Sequence, residues 1–188
     1  MRARTIGIGA ALAAIFFATA PAHAEPKTAD SLQLGLGLRY GFEMNDGDFN
    51  PWGLGLGIEG GYTLPNAVYV GGLFEYFFGD SQELAGIKVK GNLWQAMAEA
   101  GYDIGLTPLF VLRPKIGAGI AGTRLSSEGC PSGISCPDDS SSDFALAPGV
   151  TAMLFLPGFG LSLDARYDLV FADPETAKAL IFTAGFGF

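Results

Sequence analysis

The sequence predicts an all-β chain, an eight-stranded antiparallel up-and-down β-barrel that crosses a membrane. Three observations predict it. Bulky apolar side chains alternate with small or polar ones along eight successive segments, which is the period of a strand. Most segments are about 10 residues long, close to the roughly 9 to 11 that a tilted strand needs to cross a bilayer. Glycine supplies 28 of the 188 residues and lies inside the apolar segments, where each would cost a helix about 1 kcal/mol relative to alanine. After the first two dozen residues no run reaches the roughly 18 apolar residues of a membrane-spanning helix. The net charge of -8 disfavours nucleic acid as a partner, because phosphate binding needs clustered Lys and Arg.

The chain opens with an address. Arg2 and Arg4 precede an apolar run from Ile6 to Ala20, and Ala22-His23-Ala24 places small residues around a cut site. This is the three-part pattern of a secretory signal peptide over 1–24, cleaved after Ala24. Residues 25–30 then form a short N-terminal segment, and 31–188 the barrel. Cleavage removes His23, the only histidine.

The first segment places Leu32, Leu34, Leu36, Leu38, Tyr40, Phe42 and Met44 on one face, against Gln33, Gly35, Gly37, Arg39, Gly41 and Glu43. The second sets Trp52, Leu54, Leu56, Ile58 and Tyr62 against Gly53, Gly55, Gly57, Glu59 and Gly61. In the third, Val68, Val70, Phe74, Tyr76 and Phe78 oppose Tyr69, Gly71, Glu75 and Phe77. The fourth, rich in alanine, sets Trp94, Ala96, Ala98, Ala100 and Tyr102 against Gln95, Met97, Glu99 and Asp103. Phe110 to Ile120 and Phe144 to Leu154 make the fifth and sixth, carrying Arg113 and Lys115 on the small face of the fifth. Pro114 and Pro148 fall within these two, and bulges are expected there because proline donates no ladder hydrogen bond. The seventh sets Leu161, Leu163, Ala165, Tyr167, Leu169 and Phe171 against Ser162, Asp164, Arg166 and Asp168. The last alternates Leu180, Phe182, Ala184, Phe186 and Phe188 with Ile181, Thr183, Gly185 and Gly187.

Connections after the second, fourth and sixth segments, around Pro65-Asn66, Gly105 to Pro108 and Pro157-Gly158, read as tight turns. The others read as longer and more polar, the longest from about Arg124 to Asp143, with a helical turn expected at Asp173-Pro174-Glu175. Short turns on one side and long loops on the other are the habit of a membrane barrel. A soluble barrel carrying an apolar ligand, like a lipocalin, would show the same alternation. Volume separates the two, because an eight-stranded interior is barely wide enough for ordinary side chains. The bulky row must face outward, and so apolar a belt is tolerable only in lipid.

Aromatics gather at both strand ends. Tyr40, Phe42, Trp52, Tyr76, Phe78, Trp94, Phe144, Tyr167 and Phe171 lie towards the long loops, and Tyr62, Tyr102, Phe110, Phe186 and Phe188 towards the short turns. Two interfacial girdles are expected of such barrels. With the signal peptide, the eight alternating strands and the terminal Phe188, the chain resembles the small outer-membrane barrels of Gram-negative bacteria of the OmpA/OmpX type. The resemblance implies residence in the cell outer membrane, contact with its lipid and lipopolysaccharide, and a periplasmic position for residues 25–30. It also implies that Leu180, Phe182, Phe186 and Phe188 form the C-terminal signal read by the barrel-assembly machinery. The peptidoglycan-binding domain of OmpA proper is expected to be absent.

Mid-barrel inward positions carry Arg39, Arg113, Lys115 and Arg166 together with Glu59, Glu75, Glu99 and Asp164. Charges in a narrow lumen must pair, because an uncompensated one costs several kcal/mol. A plug of ion pairs is therefore expected. Cys130 and Cys136, an even pair in an exported chain, are expected to form a disulfide. Glu128, Asp138, Asp139 and Asp143 nearby lack the spacing of a calcium loop, so no metal site is expected. No cofactor motif appears, nor a Gly-x-Ser-x-Gly elbow, and no enzyme is expected. The expected role is structural or surface-interacting, as a monomer with no extracellular ligand specified. The alternatives are a narrow channel for ions or small hydrophobic solutes, and a soluble lipocalin-like carrier.

Overall fold

Each alternating segment forms a strand, and each strand pairs antiparallel with its neighbours in sequence. A computed structural model describes residues 28–29, 31–45, 50–84, 87–128, 139–173 and 175–187. The strands are β1 (Ser31–Glu43), β2 (Leu54–Thr63), β3 (Val68–Leu84), β4 (Ile87–Tyr102), β5 (Phe110–Glu128), β6 (Asp139–Leu156), β7 (Phe159–Val170) and β8 (Ala177–Gly187). A two-residue piece, Ile104–Gly105, continues β4 beyond Asp103. Pairing of β1 with β8, from Gly35↔Gly187 to Glu43↔Ala179, closes the sheet. Closure leaves no unpaired edge. The alanine-rich fourth segment is strand throughout.

The bulky row faces out. Leu32 and Leu163 are each 67% exposed, and Phe42, Phe74, Phe144 and Phe182 are also exposed. Small, charged and some large apolar residues line the interior. This sidedness rules out the soluble carrier, whose apolar face would be the inner one. Tyr40, Tyr62, Tyr76, Trp94, Tyr102 and Tyr167 share outward positions with this row. Several outward rings pack on one another, as in Tyr40 with Phe42 at 4.7 Å and Phe144 with Phe171 at 5.8 Å between centroids. Leu180, Phe182 and Phe186 lie on the outward face of β8, while Phe188 lies outside the described residues.

Trp52 departs from the sequence expectation. It is 1% exposed and packs inside the barrel. The alternation of β2 begins only at Leu54, because Gly53 has a positive φ of 35°. Asn50 Oδ1 accepts from the backbone N–H groups of Trp52 (3.1 Å) and Gly53 (3.5 Å), while its amide donates to the Gly41 carbonyl. This side-chain turn folds the indole inward. Gly41 makes the room, since a Cβ there would sit 2.5 Å from that of Trp52.

The expected bulges at Pro114 and Pro148 are also absent. The β5–β6 register runs unbroken from Phe110↔Leu154 to Leu125↔Asp139. Each proline instead interrupts the ladder on its other side. Pairing between β4 and β5 lapses between Gly101↔Lys115 and Ile104↔Leu112, opposite Pro114. Pairing between β6 and β7 lapses between Leu146↔Leu169 and Gly149↔Arg166, around Pro148. The register resumes in phase both times, so the missing donor costs hydrogen bonds without inserting a residue. The shift that does occur is in the outer part of β3–β4, between Phe78 and Ser81.

The three short turns occupy 64–67, 106–109 and 157–158, the last with Gly158 at φ +91°. Opposite them, the expected loops are partly strand. β3 and β4 run on until only residues 85 and 86 separate them, and β5 and β6 extend until 129–138 remain. The described residues of the connection after β7 contain no helical turn. Residues 1–24 and both cysteines lie outside the described residues.

Candidate functional site in the barrel interior

The interior has two zones, of which the sequence reading anticipated one. Towards the extended hairpins it is apolar. Trp52, Phe77, Leu93, Val170 and Ile181 pack together with Ala121, Ala145 and Ala179, all of them buried. These residues occupy the inward parity of their strands, so the signal was present. Phe77, Leu93 and Ile181 lie on the inward row, which also carries Tyr69, Leu73, Met97, Val111 and Met153 among its small and charged residues.

The interior charges lie mainly from mid-barrel towards the short turns, interleaved with Tyr69, Leu73, Met97, Val111 and Met153, and their pairing falls into three groups. In the first, Glu75 on β3 lies between Arg39 on β1 and Arg166 on β7, accepting from both guanidinium groups. Arg166 Nε also donates to Asp168 at 2.8 Å, and its Nη2 reaches the Gln95 amide oxygen at 3.4 Å. In the second, Lys115 Nζ lies 3.0 Å from Glu99 and 3.1 Å from Asp164. Thr151 donates to Asp164 at 2.7 Å. In the third, Arg113 holds Asp103 through Nε at 2.5 Å and Nη2 at 2.8 Å. The same Nη2 donates to Gln33 at 2.8 Å, and the guanidinium lies 3.6 Å over the Tyr69 ring. Thr63 and Thr28 both donate to Asp103, so the N-terminal segment is tied into the barrel at Thr28.

Of the eight lumen charges expected from the sequence, seven form ion pairs. Glu59 has no ion-pair partner among the described residues and is only half-buried. Two further carboxylates, Asp103 and Asp168, complete the network. Both were visible on the inward parity but lie near strand ends, away from the mid-barrel positions. A long arginine reaches them along the lumen. Bidentate arginine pairs of this kind are the strong form of charge-assisted hydrogen bond.

Small residues make the space. A Cβ on Gly57 would collide with the Arg39 guanidinium, and one on Gly71 would collide with the Tyr69 hydroxyl. Gly57 and Gly71 are therefore sites where an inward side chain crosses the strand. No group of three or more metal-ligating side chains occurs among the described residues.

Chains of known structure share this architecture. One is a major outer membrane protein from Thermus thermophilus (14% identity, 84% of this chain and 98% of that one, TM-score 0.58). Another is Neisserial surface protein A (15% identity, 83% and 94%, TM-score 0.54). A third is Ail, the attachment invasion locus protein of Yersinia pestis, in complex with the heparin analogue sucrose octasulfate (22% identity, 84% and 97%, TM-score 0.52). At these identities the likeness shows the fold. No curated protein sequence matches the chain. The sequence model of the outer membrane protein beta-barrel domain matches residues 9–188, nearly the whole chain, and the protein belongs to that outer-membrane family.

Proposed function

We propose that this outer-membrane barrel is a non-conducting, non-enzymatic structural or surface-interaction protein, acting through its extended hairpins. The observation that carries the reading is the filled interior. An apolar core containing Trp52, Phe77 and Leu93 stands in series with ion-paired charges, in a barrel whose eight strands leave little free bore. The hairpins β3–β4 and β5–β6, whose strands have 16 to 19 residues, project past the belt that meets lipid. Such polar extensions suit contact with lipopolysaccharide or surfaces outside the cell. The mature chain, starting at Glu25 after signal cleavage, holds no histidine to serve as acid or base. The Cys130–Cys136 disulfide shapes the tip of the longest connection, and the outward Leu180, Phe182, Phe186 and Phe188 present the assembly signal. Aromatics at the strand ends, Trp52 excepted, mark the two interfaces, and the barrel works as a monomer.

Planar-bilayer recording tests this reading. Silence over a range of voltages is the expected result. Steady, ion-selective conductance steps would overturn it in favour of a narrow channel.

A further inference from the structure

The cations of this acidic chain divide into two sets. Arg39, Arg113, Lys115 and Arg166 are paired in the lumen. Among the described residues the other Lys and Arg positions are Lys88, Lys90, Arg124 and Lys178, and all lie towards the extended hairpins, none at the short-turn rim. Two of them are neighbours on the outward face. Arg124 on β5 stands between Asn92 of β4 and Ser140 of β6, and Lys90 is the next outward residue of β4, opposite Ser126. Both are exposed, and neither side chain has an ion pair or hydrogen bond with another described residue. The carboxylates of this sheet register one outward position further on, where Glu83 and Glu128 flank Lys88 in the ladder.

Strand β4 carries the surface on towards the membrane. Its outward row reads Lys90, Asn92, Trp94, Ala96, Ala98 and Ala100, passing from polar to aromatic to small. The Trp94 indole stacks on Phe74 at 6.5 Å and lies across Gly122, where a Cβ would collide with its ring. No described residue accepts from its indole N–H. Below it a groove of about 830 Å³ opens on the lipid face, lined by Ile58, Gly60, Gly72, Phe74, Ala96 and Ile120. These six pair with one another across β2 to β5 on the outward parity, so the groove stays on one side of the barrel wall. Along the strands the Ala96↔Ile120 pair lies four residues from the Asn92↔Arg124 pair. That is about 13 Å, within the span of one acyl chain.

We propose that Lys90 and Arg124 hold the phosphate of an outer-leaflet lipid whose acyl chain runs past Trp94 into the groove of Ile58, Gly72 and Phe74. This names a partner for the surface-interaction reading above and rests on it. A guanidinium beside an ammonium offers positive charge and several donors, the chemistry that holds a phosphate. The groove commits the site to a lipid, because it is apolar and lies in the belt from which water is excluded. Trp94 fits the boundary between the two, since indole rings settle at headgroup level with the N–H free to donate. The one-sided placement of the cations agrees. The extended hairpins face outward in barrels of this kind, which sets Lys90 and Arg124 beside the leaflet that carries phosphorylated glycolipid.

Tryptophan quenching in phosphatidylcholine vesicles tests the proposal, with brominated chains carried either by phosphatidic acid or by phosphatidylcholine at equal mole fraction. The chain has two tryptophans, and Trp52 is buried inside the barrel, so quenching reports a brominated chain beside Trp94. A preference for phosphatidic acid of about fivefold is expected, as for exposed charge pairs. It should fall to near unity in the Lys90→Gln/Arg124→Gln double variant and in about 1 M salt. Gly72→Leu fills the groove away from the cations, at a position where a Cβ meets only the Met97 carbonyl at 3.5 Å, and is expected to reduce the preference. Lys178→Gln makes the same charge change elsewhere on the rim and should leave it unchanged, as should excess inorganic phosphate. Heat-modifiable gel migration establishes that each variant is folded. Equal quenching by the two lipids, a preference that survives the double variant or the filled groove, an equal loss in Lys178→Gln, or displacement by inorganic phosphate would overturn the proposal. None of these outcomes bears on conductance, so this test and planar-bilayer recording fail separately.

Discussion

The two zones of the barrel interior fill the same tube by opposite physics. Near the extended hairpins, Phe77, Leu93 and Trp52 are as buried as the core of a soluble protein and are held by packing. At mid-barrel and beside that core, Arg166, Glu75 and Asp168 are equally buried but are held by charge. The apolar zone tolerates approximate partners, because dispersion and burial have no direction. The charged zone tolerates none, since each ion gives up hydration and recovers it only in good geometry. The barrel thus has one zone that favours collapse and one that penalises a wrong register.

Breaking the charged zone at its centre should have the largest effect. Arg166→Met leaves Glu75 without one of its two guanidinium partners and Asp168 without its ion pair, and stability is expected to fall by about 3–5 kcal/mol. Urea unfolding in lipid vesicles, followed by tryptophan fluorescence, measures it. A loss under about 1 kcal/mol would show that water or a counter-ion compensates these carboxylates. In the apolar zone, Phe77→Ala removes a fully buried ring and is expected to cost about 3 kcal/mol in the same assay. The comparison sharpens when salt is raised to about 1 M: both losses should persist, because buried pairs are screened little. The smallest effect is expected at Glu59→Gln. A half-buried carboxylate outside the ion pairs should change stability by no more than about 0.5 kcal/mol. A loss as large as that of Arg166→Met would place Glu59 within the structural network.

Several features that sequence reading missed share one cause. Alternation assigns a side to each residue only while the backbone stays extended. Trp52 lies just before β2, where the Asn50 turn and Gly53 reset the parity, so counting back from Leu54 put it on the wrong face. The prolines misled differently. Proline in a strand signals a lost donor, but whether that loss inserts a residue or merely opens the ladder depends on the partner strand. Here Asp103 and the residues around Tyr167 absorb it.

The sequence by itself determined the strand count, the outward belt, the closure implied by an even set of strands, and which charges face inward. These are local consequences of period-two geometry and of the small bore of eight strands. Only the tertiary structure decided which carboxylate meets which cation, that Asp103 and Asp168 join the network while Glu59 stands apart, and that apolar and charged zones are stacked along one axis. Those outcomes depend on the stagger of strands far apart in sequence and on the reach of arginine along the lumen, neither of which is written in any single segment.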